Sequence, residues 1–214
     1  MILESVYIYG TGGHAAEASW LIELFNKQNS DLNYVVEAFI DDHPQALLFR
    51  NKPVLNLAAA DPSYGMLCAL GMPHVRQLIV DKCEQAGFGF FPALHAPNNM
   101  IAEDAQLAAG VFSYGFSTIS TNVCVARHVH INKHCQLSHD VQVGEFTTLS
   151  PGSNVCGNVI IGKRVFIGAG ATIINGTPHK PLIIGDDAVI AAGACVINNV
   201  AAYSRVYGVP AKLK

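Results

Sequence analysis

Charge is scarce in this chain. Only 14% of its 214 residues are Asp, Glu, Lys or Arg, the net charge is -3, and Lys and Arg never cluster. A nucleic-acid groove or an anchor on an anionic membrane needs concentrated cations, so neither partner is expected and a small molecule is. Long apolar runs are missing as well. Nothing approaches the roughly 18 consecutive apolar residues of a membrane span. The start, MILESVYIYGTGG, has no basic segment followed by a long apolar one, so a cytoplasmic location is expected. The six cysteines contain no CxxC pair, which argues against a disulfide framework. Half of the residues are hydrophobic, enough for the cores of two small domains.

What the chain does have is a period of six. From Ile101 through Leu107, Ser113, Ile119, Val125, Ile131, Leu137, Val143, Leu149, Val155, Ile161 and Ile167 to Ile173, 12 of 13 positions are aliphatic, with Ser113 the exception. Four residues after each rung stands a small or β-branched residue, as in Val111, Ser117, Val123, Val129, Cys135, Val141 and Thr147. The residue directly after the rung is often small too (Ala108, Ala126, Gly144, Gly162, Gly168), as suits a sharp corner. A helical period of 3.6 fits none of this. Hexapeptide repeats build a parallel β-helix, a three-sided prism in which 18 residues climb about 4.8 Å. Cys135, on an inward row, is expected to be an apolar filler.

The first hundred residues follow another rhythm. A strand at Val6–Tyr9 runs into Gly10-Thr11-Gly12-Gly13-His14-Ala15 and then a helix over Ala16–Phe25. Gly10, Gly12 and Ala15 fit G-x-G-x-x-G/A, a turn that lets a phosphate or ribose approach the backbone at a helix N-terminus. A second strand, Tyr34–Ile40, ends in Asp41 and Asp42, placed to accept hydrogen bonds from sugar hydroxyls. A third, Gly65–Leu70, ends at Gly71 and leads to a helix over Pro73–Ala86. About 90 residues accommodate only half a Rossmann unit, a βαβαβ domain, which weighs against a dehydrogenase. HAPNN at 95–99 reads as the linker, so the expected domains are 1–97 and 98–214.

Within the ladder, Ser138-His139-Asp140 falls between the inward residues Leu137 and Val141, so the His139 side chain is expected to point outward. A carboxylate beside an imidazole favours the charged ring and makes it a better general base, provided that the two touch.

Together, YIYGTGGHA at 7–15, FIDD at 39–42, SHDVQVGEFTTLSPGSNVCGNVIIG at 138–162, FIGAGA at 166–171 and YGVPAK at 207–212 resemble the sialic acid O-acetyltransferase family of hexapeptide-repeat acyltransferases. The likeness spans essentially the whole chain. It is strongest to members that N-acetylate the 4-amino group of nucleotide-linked, typically UDP-linked, 4-amino-4,6-dideoxy sugars for surface glycans. The resemblance implies a left-handed β-helix, acetyl-CoA as co-substrate, no metal, and a homotrimer with active sites between subunits. It implies that Gly12, Gly13, His14, Asp41, Asp42 and Gly71 hold the nucleotide end of the sugar. His139 is the implied catalytic base, Asp140 its partner, and Asn132 a polar neighbour of the site. Cofactor contacts are implied at Gly157, Ala169 and Ala192. Thr148 stands where some relatives carry a second, cofactor-contacting histidine; it can hydrogen-bond but cannot act as a base.

Other readings compete. A sugar hydroxyl could replace the amine as acceptor. His128, His130, His134 and His139 cluster, as in β-helix carbonic anhydrases, although His128 and His134 share a register on successive faces and so point apart. A non-catalytic nucleotide-sugar-binding scaffold is a third possibility. The ladder also loses step after Ile173: five extra residues, Thr177 to Pro181, form a loop carrying His179 and Lys180. Lys180 could meet a coenzyme A phosphate, and a tolerated surface insertion fits as well.

Overall fold

The computed structural model describes residues 2–29 and 31–213. Strand β1 (Ile2–Tyr9), helix α1 (Gly13–Gln28), strand β2 (Leu32–Ile40), the short strands β3 (Leu48–Phe49) and β4 (Lys52–Leu55), strand β5 (Gly65–Cys68) and helix α2 (Pro73–Gln85) make the first layer. The sheet order is β3-β4-β2-β1-β5, parallel except for the β3–β4 pair. The βαβαβ expectation holds at its centre. It misses the β3–β4 hairpin, whose two-residue β3 is too short to show a period. Helix α1 buries Ala15, Ala18, Ser19 and Ile22 at helical spacing, and α2 buries Pro73, Arg76, Val80 and Cys83 in the same way.

Beyond them, the rungs form a left-handed β-helix of three sheets whose strands pair in parallel every 18 residues, for example Ile119 with Leu137 and Leu137 with Val155. Rung and companion rows fill the prism: Leu137, Val141, Leu149, Val155, Val165 and Ile173 are fully buried. Cys135 is buried in a companion row with its Sγ 3.4 Å from Ser153 Oγ. Ser113 interrupts the ladder because its hydroxyl accepts from Asn99 Nδ2 at 2.9 Å, and Asn99 also binds Ser117 N–H at 3.0 Å. The first rung is Leu94–His95, paired with Phe112–Ser113, so the prism begins a few residues before 98.

One expectation about the corners needs correcting. The bends lie three residues after each rung, where Asn122, His128, His134, Asp140, Phe146, Asn158 and Arg164 all adopt φ between 54 and 61°. The small residues directly after the rungs answer a different demand, the close stacking of coils. A Cβ on Gly144 would lie 2.5 Å from the Gly162 carbonyl carbon, and one on Gly168 would lie 2.4 Å from the Ala192 nitrogen.

Candidate active site

His139 lies just before the corner residue Asp140, and its side chain is 57% exposed. Its Nδ1 is 2.7 Å from Asp140 Oδ2. An ionised carboxylate only accepts, so Nδ1–H donates and Nε2 keeps its lone pair for a substrate proton. That hydrogen bond, with a second from Asn122 Nδ2 to Asp140 Oδ1, holds the Asp140 carboxyl below the usual carboxylate range. The next coil supplies the seat: a Cβ on Gly157 would be 2.6 Å from His139 Nε2 and 2.5 Å from Cε1. Three successive coils thus orient one imidazole. Asn122 escaped sequence reasoning, although its place 18 residues before Asp140 is the signal that would have found it.

The implied sugar-binding residues divide. Gly12 and Gly13 open α1 with space where side chains would be, and Asp41 and Asp42 end β2 beside them. Asp41 accepts from Thr11 Oγ1 at 2.5 Å and from His43 N–H at 2.9 Å. Asp42 accepts from Tyr9 OH at 2.6 Å, from the Leu57 N–H and from the Lys82 ammonium. Burial pushes its carboxyl up, but those donors outweigh burial and leave it below its ordinary value. This corner, at the C-terminal end of a parallel sheet and the N-terminus of a helix, is chemically suited to a ribose and a phosphate.

His14, Gly71 and Thr148 lie instead in the seam between the α/β layer and the prism. His14 Nε2 is 2.9 Å from His130 Nδ1. Thr148, 3% exposed, donates to Gly71 O at 2.8 Å and accepts from Arg76 at 3.0 Å. Arg76 is fully buried without a carboxylate, its guanidinium donating to the carbonyls of Leu70, Gly71, His128, Phe146 and Thr147. Burial pulls its pKa down to about 10. Burial, with Arg76 nearby, also lowers His14 to about 4, while His128 falls to about 3 and His130 goes well below the usual range. These rings are neutral packing elements: His130 stacks on Phe112 and His128 on Phe146, each within 8° of parallel. Asn132, 9% exposed, donates to Leu149 O. Ala169 and Ala192 are exposed beside the corner glycines Gly170 and Gly193, on a different edge of the prism from His139 and Gly157.

The four clustered histidines therefore have four separate environments, His134 being stacked on Phe116. Among the described residues no three His, Cys, Asp or Glu side chains converge as metal ligands, and no helix is long and apolar enough to cross a membrane.

Residues 140–175 match the family described as bacterial transferase hexapeptide (six repeats), and 158–197 match the hexapeptide repeat of succinyl-transferase. Over 209 residues the chain is 34% identical to the GDP-perosamine N-acetyltransferase of Escherichia coli O157:H7, covering 96% of this chain and 94% of that protein. The chain belongs to the hexapeptide-repeat acyltransferases. Among solved structures this acyltransferase is similar to WeeI from Acinetobacter baumannii AYE, at 28% identity and TM-score 0.88 over the whole of both chains. It is also similar to a variant of the perosamine N-acetyltransferase from Caulobacter crescentus solved with CoA and GDP-perosamine, at 26% identity and TM-score 0.84 over 98% and 96% of the two chains. As an acyltransferase it needs a base for the acceptor and room for a thioester.

Proposed function

We propose that this enzyme moves an acetyl group from acetyl-CoA to the 4-amino group of a nucleotide-linked 4-amino-4,6-dideoxy sugar, with His139 as general base. One observation carries the role of His139: its exposed ring is held at Nδ1 by Asp140 and seated, through Cε1 and Nε2, against the bare Gly157 backbone. The sugar nitrogen attacks the thioester carbonyl carbon while Nε2 takes its proton. A C–N bond forms, the oxyanion collapses, the C–S bond breaks, and the imidazolium returns the proton to the thiolate. No acyl-enzyme is needed. The relatives' names favour the amine over a hydroxyl acceptor, and favour guanine over the uracil expected from sequence.

The layout also supports an assembly, in keeping with the homotrimer implied by the resemblance. The Gly12 and Asp41 corner stands over the prism face that carries His130 and Thr148, whereas His139 projects from the edge between the other two sheets. A sugar held at the first reaches a base on a neighbouring copy, with Ala169 and Ala192 of one chain facing Gly157 of the next across acetyl-CoA.

Incubating GDP- and UDP-linked 4-amino sugars with acetyl-CoA and following free thiol tests this, with His139→Ala as the blank. Thiol release only with an amino sugar and only by the wild type is the expected result. Silence on every amine together with acetylation of sialic acid overturns it.

A further inference from the structure

The insertion at 177–181 is an ordered hairpin. Thr177 and Lys180 exchange backbone hydrogen bonds of 3.0 Å each way, Pro178 occupies the turn position that prefers proline, and Lys180 N–H also reaches Thr177 Oγ1 at 3.1 Å. Its base is fixed by Gly176 N–H on Gly157 O at 3.0 Å and by Leu182 N–H on Asn158 O at 3.1 Å. A Cβ on Gly176 would lie 2.4 Å from both Asn158 O and Leu182 N, so the closure needs glycine.

The hairpin stands in a chemically directed place. Pairing of Leu137 with Val155, Val155 with Ile173 and Ile173 with Val196 aligns His139, Gly157, Asn175 and Asn198 in one column along the prism. With coils about 4.8 Å apart, Asn175 is ~10 Å and Asn198 ~14 Å along the axis from the imidazole. At that height a groove of about 480 Å³ opens, lined by Asn175, Gly176, Thr177, Lys180 and the Ile197–Asn199 turn among others. Its lining holds one cation, several amides and no carboxylate. A depression of about 490 Å³ on the neighbouring face, lined by Gln106, Cys124, Gln142 and Ile160, contains no charged residue and lies off the column.

We propose that the hairpin groove holds the phosphate-bearing end of the acyl donor, with the Lys180 ammonium as its cation. The inference rests on the acyl-transfer reading above. A thioester at His139 that is joined to a nucleoside diphosphate through a pantetheine arm would run up the column and bring its phosphates to this height. There a lysine without a competing carboxylate pairs favourably with them. The sugar nucleotide's own phosphates are expected at α1, on another side of the molecule.

Calorimetric titration of CoA into the full-length protein, wild type against Lys180→Ala and Lys180→Arg, tests Lys180 without requiring turnover. The side chain is exposed and the hairpin's bonds are made by its backbone, so truncation leaves the fold intact. A loss of about tenfold in CoA affinity for alanine, largely restored by arginine, is expected for one charge-assisted contact. Pantetheine, which lacks the nucleotide, should bind all three proteins alike. Equal CoA affinities for wild type and alanine overturn the inference while leaving acyl transfer standing, as does an equal penalty with pantetheine. A wild type that binds no CoA overturns both readings. CoA binding that depends on Lys180, without transfer to any amine, keeps this inference and removes the proposed acceptor.

Discussion

The histidines at the seam and the histidine at the prism edge are the same residue put to opposite uses. His14, His128 and His130 are packed between layers with Arg76 nearby, so burial and that positive charge outweigh Glu17 at His14 and favour the neutral rings. His139 is exposed and touches a carboxylate. The difference teaches that the α/β layer is mounted through rings withdrawn from solvent, whereas the proposed catalytic edge presents one to it.

The largest effect should come from removing the exposed ring. His139→Ala should cut kcat by about a hundredfold to ten-thousandfold, the usual range for a general base, while urea unfolding stays within error of wild type. A variant with half the normal turnover would erase the contrast. Arg76→Ala should do the reverse. It removes the donors of five carbonyls and Thr148 Oγ1 at a fully buried site, so unfolding free energy should fall by at least ~3 kcal/mol. A loss under ~1 kcal/mol would mean that the seam is not held by this side chain.

Gly157→Ala sharpens the comparison at the catalytic edge. Its φ lies outside the left-handed region, so alanine brings no backbone strain and the added methyl acts mainly on the His139 ring. We expect kcat to drop about tenfold to a hundredfold with little change in KM for the sugar, since only the angle of the base is altered. Unchanged kcat would show that the ring has room to turn and that Gly157 does not seat it.

The prism was legible because a β-helix forces every coil to repeat the same inward rows, so Leu137, Val155 and Ile173 announce themselves by spacing alone. The phase of its corners was not, because the left-handed positions mix Gly152 and Gly170 with Asn122, His128, Asp140 and Phe146, whereas small residues also recur directly after the rungs. Of the candidate site, His139 and Asp140 stood out in the sequence, but their contact and the seat at Gly157 required three coils in register. Arg76 looked like an ordinary helix cation; only its place in the Pro73, Val80 and Cys83 stripe marked it as buried. The meeting of His14 with His130 across the seam had no sequence signal, because 116 residues separate the two rings.

The acid dependence of stability tests the seam histidines as a group. In the unfolded chain each titrates near 6.5, whereas in the fold burial and Arg76 bring His14 to about 4, and burial with Arg127 and Arg76 brings His128 to about 3. Between those values the unfolded chain binds protons that the native one refuses. The stabilisation is therefore complete above pH 6.5 and declines as pH falls towards 4, by up to ~1.4 kcal/mol per pH unit for each ring. Urea titrations at pH 7.5, 6 and 5 measure the slope, and His128→Phe provides the comparison, because it keeps an aromatic ring against Phe146 while removing one titrating group. A shallower acid slope in that variant assigns the proton-refusing role to the seam. Identical slopes would move it to groups elsewhere in the fold.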